Sequence, residues 1–356
     1  MTKKRDLILS AALLVVLFGV ACFVDAEMDS YICRIVNLCL IYAIIGLSMN
    51  LTNGFAGQFS LGQAGFMAIG AYTVGIFTVP VELRAAVFYA APMNPAIADI
   101  HMPLWLALIV GGLLASLVAF LIGTPVLRLR GDYLAVATLG FSEIIRIVIT
   151  NAQTITNGAL GIKDIPPMND VRLIFVATAI TFIFITTLIN SSYGRAFKSI
   201  REDEIAAEAM GIDLFKHKCL AFMISAFFAG IGGGLYGALL GTVDPKNFLF
   251  TLTYNFLLII VLGGMGSITG SMLGAVIVTA GLEILRVFDE PLELFGTVIP
   301  LFRPGFRMVI FSVLLMALVL FWRHGIMGTR EFTWNKLIAF CKNPYAFFFS
   351  KKGAHN

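Results

Sequence analysis

Leu7-Ile-Leu-Ser-Ala-Ala-Leu-Leu-Val-Val-Leu-Phe-Gly-Val-Ala-Cys-Phe-Val24 carries no charge along its whole length. A hydrocarbon layer takes roughly 20 helical residues to cross, so this run reads as a membrane helix, and runs like it recur down the chain. Of 356 residues, 59% are hydrophobic and 13% are charged, where a water-soluble globule carries about a quarter charged residues. Most of the surface therefore faces lipid. Lys3, Lys4 and Arg5 ahead of the run imitate a secretory signal, and Cys22 after Val20-Ala21 imitates a lipidation site. The run exceeds a signal-peptide core of roughly 7–15 residues, and Gly19 stands where a lipidation site takes leucine. Residues 1–30 are thus expected to be a retained membrane anchor with its first external loop.

Outward from this run, hydropathy places spans at 7–24, 31–51, 62–80, 104–126, 133–150, 172–190, 217–241, 250–265, 270–287 and 306–323. Backbone polar groups in lipid must be satisfied within the segment, so each span is a helix or is broken only where protein or water covers the break. The expected fold is all-α: a polytopic bundle of about ten transmembrane helices, with the membrane domain over 31–323 and a basic tail over 324–356. An even number of spans returns both termini to one side. With that side cytoplasmic, it holds 16 of the 25 Lys and Arg, as the positive-inside bias demands. The expected location is the inner (plasma) membrane with both termini cytoplasmic. Five cysteines without paired spacing and four scattered histidines argue against a disulfide or zinc framework.

Two stretches break their helices. Gly54-Phe-Ala-Gly-Gln-Phe-Ser-Leu-Gly-Gln-Ala-Gly65 sets polar residues among glycines, and Gly263-Gly-Met-Gly-Ser-Ile-Thr-Gly-Ser-Met-Leu-Gly274 does the same further on. Their likeness hints at two related halves. Broken helices expose backbone ends that attract a carboxylate or an ammonium. Asn53, Gln58, Ser60 and Gln63 are accordingly candidate pathway residues, although tight packing turns would have the same composition. Glu143 with Arg146, and Glu283 with Arg286, lie three residues apart within apolar runs, on one helix face. Charges at this depth are costly. Mutual pairing explains them, and Glu143 and Arg146 are further pathway candidates. Gly230, Gly234, Gly237 and Gly241, and likewise Gly266, Gly270 and Gly274, form small-residue ladders suited to close helix packing.

The polar segment 194–218 separates two spans. Ser199 is the expected N-cap of a short helix with Glu202, Asp203 and Glu204 in its first turn, where the helix dipole favours negative charge. Ala206, Ala207 and Ala209 propagate it, and Gly211 suits its end. By itself this is an ordinary solvated loop helix. No Gly-x-x-x-x-Gly-Lys-Ser/Thr phosphate loop occurs, and no constellation of nucleophile, base and metal marks an enzyme.

Ala206-Ala-Glu-Ala-Met-Gly211, with acidic residues ahead of it, resembles the loop that ABC importer permeases insert into their ATPase subunits, with Ile205 standing where that pattern has glutamate. Leu127-Arg-Leu-Arg-Gly-Asp-Tyr-Leu-Ala-Val-Ala-Thr-Leu-Gly-Phe-Ser-Glu-Ile-Ile-Arg146, the break beginning at Gly54, Thr156-Asn-Gly-Ala-Leu-Gly-Ile-Lys163 and Val261-Leu-Gly-Gly-Met-Gly-Ser-Ile-Thr-Gly270 resemble the LivM-type permeases of branched-chain amino acid importers. The resemblance implies a translocating subunit for leucine, isoleucine and valine that binds no cofactor. It also implies a related second permease, two cytoplasmic ATPases that hydrolyse ATP, an external substrate-binding protein and surrounding membrane lipid as partners, with no nucleic acid. Arg201, Glu202, Asp203, Glu204, Ala206, Ala207, Glu208 and Gly211 become the expected ATPase-coupling residues. Two alternatives stay open: a related permease for urea or another small amide, and a secondary transporter driven by an ion gradient.

Overall fold

The computed structural model describes residues 2–129 and 131–285, and beyond these 293–294, 297–298, 309–310, 312–313, 316, 325–328 and 331. The helices are α1 (Thr2–Glu27), α2 (Ser30–Asn50), α3 (Gln63–Thr78), α4 (Val81–Val87), α5 (Pro95–Ala98), α6 (Leu104–Val126), α7 (Asp132–Asn151), α8 (Gln153–Thr156), α9 (Val171–Asn190), α10 (Ser192–Glu202), α11 (Glu204–Ala209), α12 (Leu214–Leu240), α13 (Phe250–Gly263) and α14 (Ile268–Ile284). A two-residue antiparallel pairing, Glu293–Leu294 with Thr297–Val298, is a minor addition to an all-α bundle.

The nine predicted spans from 7–24 to 270–287 fall on helices, and 306–323 lies mostly outside the described residues. Among the described residues, five helices are long and apolar enough to cross a membrane: α2 with the turn that follows it, α6, α7, α9 and α12. Three predicted spans differ from expectation. α3 stops after 16 residues because Val79 precedes Pro80, which pushes it out of helical geometry; its backbone is extended at ψ 128. The chain resumes as α4 after a bend of 118°. α13 has 14 residues and α14 has 17, about 21 and 26 Å at the helical rise, short of a hydrocarbon core of about 30 Å.

The bundle is centred on α3, α6 and α12, and glycine brings these helices together. A Cβ on Gly70 of α3 would sit 1.9 Å from the carbonyl oxygen of Gly230 in α12, and one on Gly230 would sit 2.9 Å from the Gly111 oxygen of α6. Gly233 would strike Met67 O at 2.0 Å. Of the ladder expected to pack closely, Gly230, Gly234 and Gly237 do so, because burial supplies little drive between helices in lipid and backbone proximity replaces it. Gly241 instead lies past the end of α12 at φ 68, where a Cβ would meet nothing closer than 3.6 Å.

Candidate functional site

The two glycine breaks, about two hundred residues apart in sequence, meet at one end of the bundle. α2 runs into a π-helical turn, Leu51–Phe55, all of it buried. Asn50 at the head of this turn reaches the second break through three bonds: Nδ2 donates to Ser267 O at 2.8 Å and to Ser271 Oγ at 2.7 Å, while Oδ1 accepts from Gly266 N at 2.9 Å. A Cβ on Gly54 would lie 2.5 Å from Gly266 N. Glycine is required at position 54, since a side chain there would force the breaks apart. Within the second break, Gly264 and Gly266 take φ of 114 and 84, angles that L side chains rarely adopt, and α13 and α14 close so tightly that a Cβ on Gly263 would meet Gly270 O at 2.2 Å.

The described part of the C-terminal segment joins the same end. Ile326 N donates to Leu262 O and Met327 N to Gly263 O. The Glu331 carboxylate accepts from Ile268 N at 2.6 Å and from Thr269 N at 3.2 Å, satisfying the open N–H groups at the start of α14 where the dipole favours a negative charge.

Of the four candidate pathway residues around the first break, three have internal partners. Asn53 Nδ2 donates to Ser60 O and its Oδ1 accepts from Ser60 N, at 3.2 and 3.1 Å; Gln63 Nε2 donates to Ser48 Oγ. Ser60 Oγ accepts from Gly62 N at 3.4 Å. Gln58 differs: it is 2% exposed, and neither its amide oxygen nor its amide nitrogen has a hydrogen-bond partner. Glu143 and Arg146 pair with each other at 2.8 Å on α7, about a quarter exposed. Glu143 also accepts from Phe250 N at 3.4 Å, tying α7 to the start of α13. Glu283 accepts from the Tyr31 hydroxyl at 2.6 Å, whereas Arg286 lies outside the described residues.

The polar segment forms two helices, which corrects the expectation of one helix capped by Ser199. Ser191 is the cap of α10, its hydroxyl accepting from Tyr193 N, and Ser199 lies inside that helix, its carbonyl accepting from Asp203 N. Asp203 breaks the helix with an extended backbone and caps α11, its carboxylate accepting from Ile205 N at 2.8 Å and Ala206 N at 3.1 Å. Serine and aspartate are comparably good caps, and here it is the Asp203 carboxylate that makes both cap bonds. Only Glu204 is left in a first turn; Glu202 is the last residue of α10. Gly211, at φ 83, ends α11 as expected, with Gly211 N bonded to Glu208 O and Ile212 N to Ala207 O.

The α11 residues divide by direction. Ala207 is fully buried, and Glu204 accepts from Nζ of the buried Lys218 at the base of α12. Ala206 and Glu208 face outward with Ile205 and Met210, the last two 72% and 82% exposed. Asp213 caps α12, and the Lys216 backbone N–H and side chain hold its carboxyl below the usual carboxylate range.

Arg201 points the other way, into the breaks. Its Nη1 donates to Gly54 O at 3.0 Å, and its Nη2 and Nε bond Glu202. One turn earlier, Lys198 Nζ stands 5.7 Å from the ring centroid of Phe55.

The sequence profile described as branched-chain amino acid transport system / permease component matches residues 31–321. The chain belongs to this family. It is 36% identical over 290 residues to the high-affinity branched-chain amino acid transport system permease protein LivM of Escherichia coli (strain K12), covering 72% of this chain and 64% of that protein. The LivM protein of Salmonella typhimurium (strain LT2) is 33% identical over 323 residues, 81% of this chain and 70% of its own length. The guanosine ABC transporter permease protein NupQ of Bacillus subtilis (strain 168) is 24% identical over 298 residues, 78% of this chain and 85% of its own. No solved structure matches the chain. Family membership and the apolar helices make it a multi-pass membrane protein of an ABC transport system.

The family motifs quoted from sequence are in part structural. In Thr156–Lys163, Asn157 takes φ 60 and its amide donates to Val87 O and Gly161 O, and Ile162 pairs with Val243. Asn50, Lys218 and Glu331 were not among the sequence candidates. Asn50 closes an apolar run and Glu331 lies in the tail, so only the partners across the fold give them meaning. Lys218 gave one signal, a cation at the start of a span.

Proposed function

We propose that the chain is the translocating subunit of an ATP-driven importer for branched-chain amino acids in the inner membrane, moved by ATPases docked on α11. The observation that carries this reading is the elbow at Asp203. It presents two large apolar side chains, Ile205 and Met210, on a helix whose other face is seated by Ala207 and the Glu204–Lys218 pair. Large exposed apolar groups rimmed by charge suit a protein contact, and a rigid seat lets a push on α11 pass into α10 and α12. The partners are then a related second permease, two cytoplasmic ATPases that bind and hydrolyse ATP, and an external binding protein. This chain itself binds no nucleotide.

The end of the bundle with α11 and the glycine breaks is the cytoplasmic end, and both termini lie there. Residues 325–328 and Glu331, which follow the last predicted span, pack on the second break, as an even number of crossings requires. For the pathway we favour Gln58, whose unpartnered buried amide offers a donor and an acceptor to a passing zwitterion. Asn53, Ser60 and Gln63 shape its surroundings, and the Glu143–Arg146 pair faces protein or water, since an ion pair about a quarter exposed is poorly housed by lipid.

Purification of the chain from its native membrane should bring down a second permease and two ATPases. The complex in vesicles, supplied with its binding protein, should accumulate leucine only with ATP. Leucine accumulation on a proton or sodium gradient alone would refute the proposal, and preference for guanosine or urea would keep the machine while changing its cargo.

A further inference from the structure

We propose that Arg201 is the tie through which the lever controls the contact between the two glycine breaks, a positioning role that rests on the transport reading above. The guanidinium is placed between both breaks. Nη1 holds the Gly54 carbonyl at 3.0 Å, and the same atom lies 2.9 Å from where a Cβ on Gly266 would stand. The backbone comes equally close: a Cβ on Gly57, at φ 66, would meet Arg201 Cα at 3.0 Å and Cγ at 2.9 Å. Two glycines, Gly57 in the first break and Gly266 in the second, therefore leave room for one arginine.

Its other arm turns toward the elbow. Nη2 and Nε bond Glu202, the residue next to Asp203, where α10 gives way to α11. A displacement of α11 about this elbow reaches Arg201 across two residues. The receiving element is suited to respond, since Gly54 lies in a π-helical turn, a geometry found mostly as single turns and frequently at functional sites. Lys198 against Phe55 gives α10 a second hold on the same turn. With the tie made, Gly54 and Gly266 are in backbone contact and Asn50 locks the second break to the first. With the tie broken, the Gly54 carbonyl loses its charged donor and that contact is free to open.

Two readouts on the assembled complex test this. In vesicles with binding protein, Arg201→Ala should lower leucine uptake per ATP hydrolysed about tenfold, with Arg201→Lys recovering most of the loss because one charged donor still reaches Gly54. A merely structural arginine would lower uptake and hydrolysis together and leave their ratio unchanged, which would overturn the proposal. Hydrogen exchange on the same purified complex does not depend on the cargo. Nucleotide binding should raise exchange at residues 54–58 and 264–267 in the wild type, and Arg201→Ala or, if that variant does not assemble, Arg201→Gln should abolish this response. No response in the wild type, or an undiminished one in the variant, would overturn the tie. A nucleotide response without leucine uptake would instead sink the cargo assignment and leave the tie standing.

Discussion

Asn50 shows how one buried amide can hold a fold closed. The nitrogen and oxygen of that amide make three bonds across a gap of more than two hundred residues in sequence, and the side chain is fully buried. Asn50→Ala would strand Gly266 N, an unsatisfied group costing about 1–3 kcal/mol, and would remove two further bonds worth about 1 kcal/mol each, while Ser267 O still accepts from Ser271 N and Oγ. The expected loss is about 2–4 kcal/mol, read as a fall of several degrees in the unfolding midpoint of the detergent-solubilised protein; an unchanged midpoint would mean that the breaks are held by packing alone. At this scale little was legible in the sequence. Asn53, Gln58, Ser60 and Gln63 drew attention because they stand among glycines, whereas Asn50 and Lys218 lie at helix ends within apolar surroundings. Polar residues there read as span boundaries until their partners are known.

Among the elements, the glycines separate two kinds of helix surface. Gly233 is pressed against Met67 O, while a Cβ on Gly19 would meet nothing within 4 Å. Gly233→Ala should force α12 from α3 at a cost of about 1–3 kcal/mol, lowering the yield of folded protein and its thermal midpoint, and Gly19→Ala should leave both unchanged. The elbow is the other element-scale feature. Asp203, Ser191 and Asp213 cap three successive helices with their own side chains, so the polar segment is divided into rigid pieces with defined joints. The sequence marks this region as helical and Gly211 as its end. It does not choose between Ser199 and Asp203 as cap, because both are competent and only the docking of α10 on the first break decides where the helix must turn.

For the whole molecule, the arrangement makes a topological statement that labelling can check. Ile205 and Tyr89 are each 72% exposed and belong to opposite ends of the bundle on the proposed orientation. A cysteine at position 205 should react with a membrane-impermeant maleimide only after the cells are opened, and one at position 89 should react in intact cells; labelling of both in intact cells would break the scheme. Hydropathy by itself determined that the protein lives in a membrane, that its crossing segments are helices and where most of them lie, because lipid imposes one demand on every residue of a span and that demand adds up along the chain. Hydropathy could not tell a full crossing from the shorter α13 and α14, since both are equally apolar. Only the tertiary structure brought Gly54 to Gly266, aimed Arg201 at both and turned Ala207 inward, because a contact between distant residues depends on how separate helices pack, and no local pattern of residues encodes that approach.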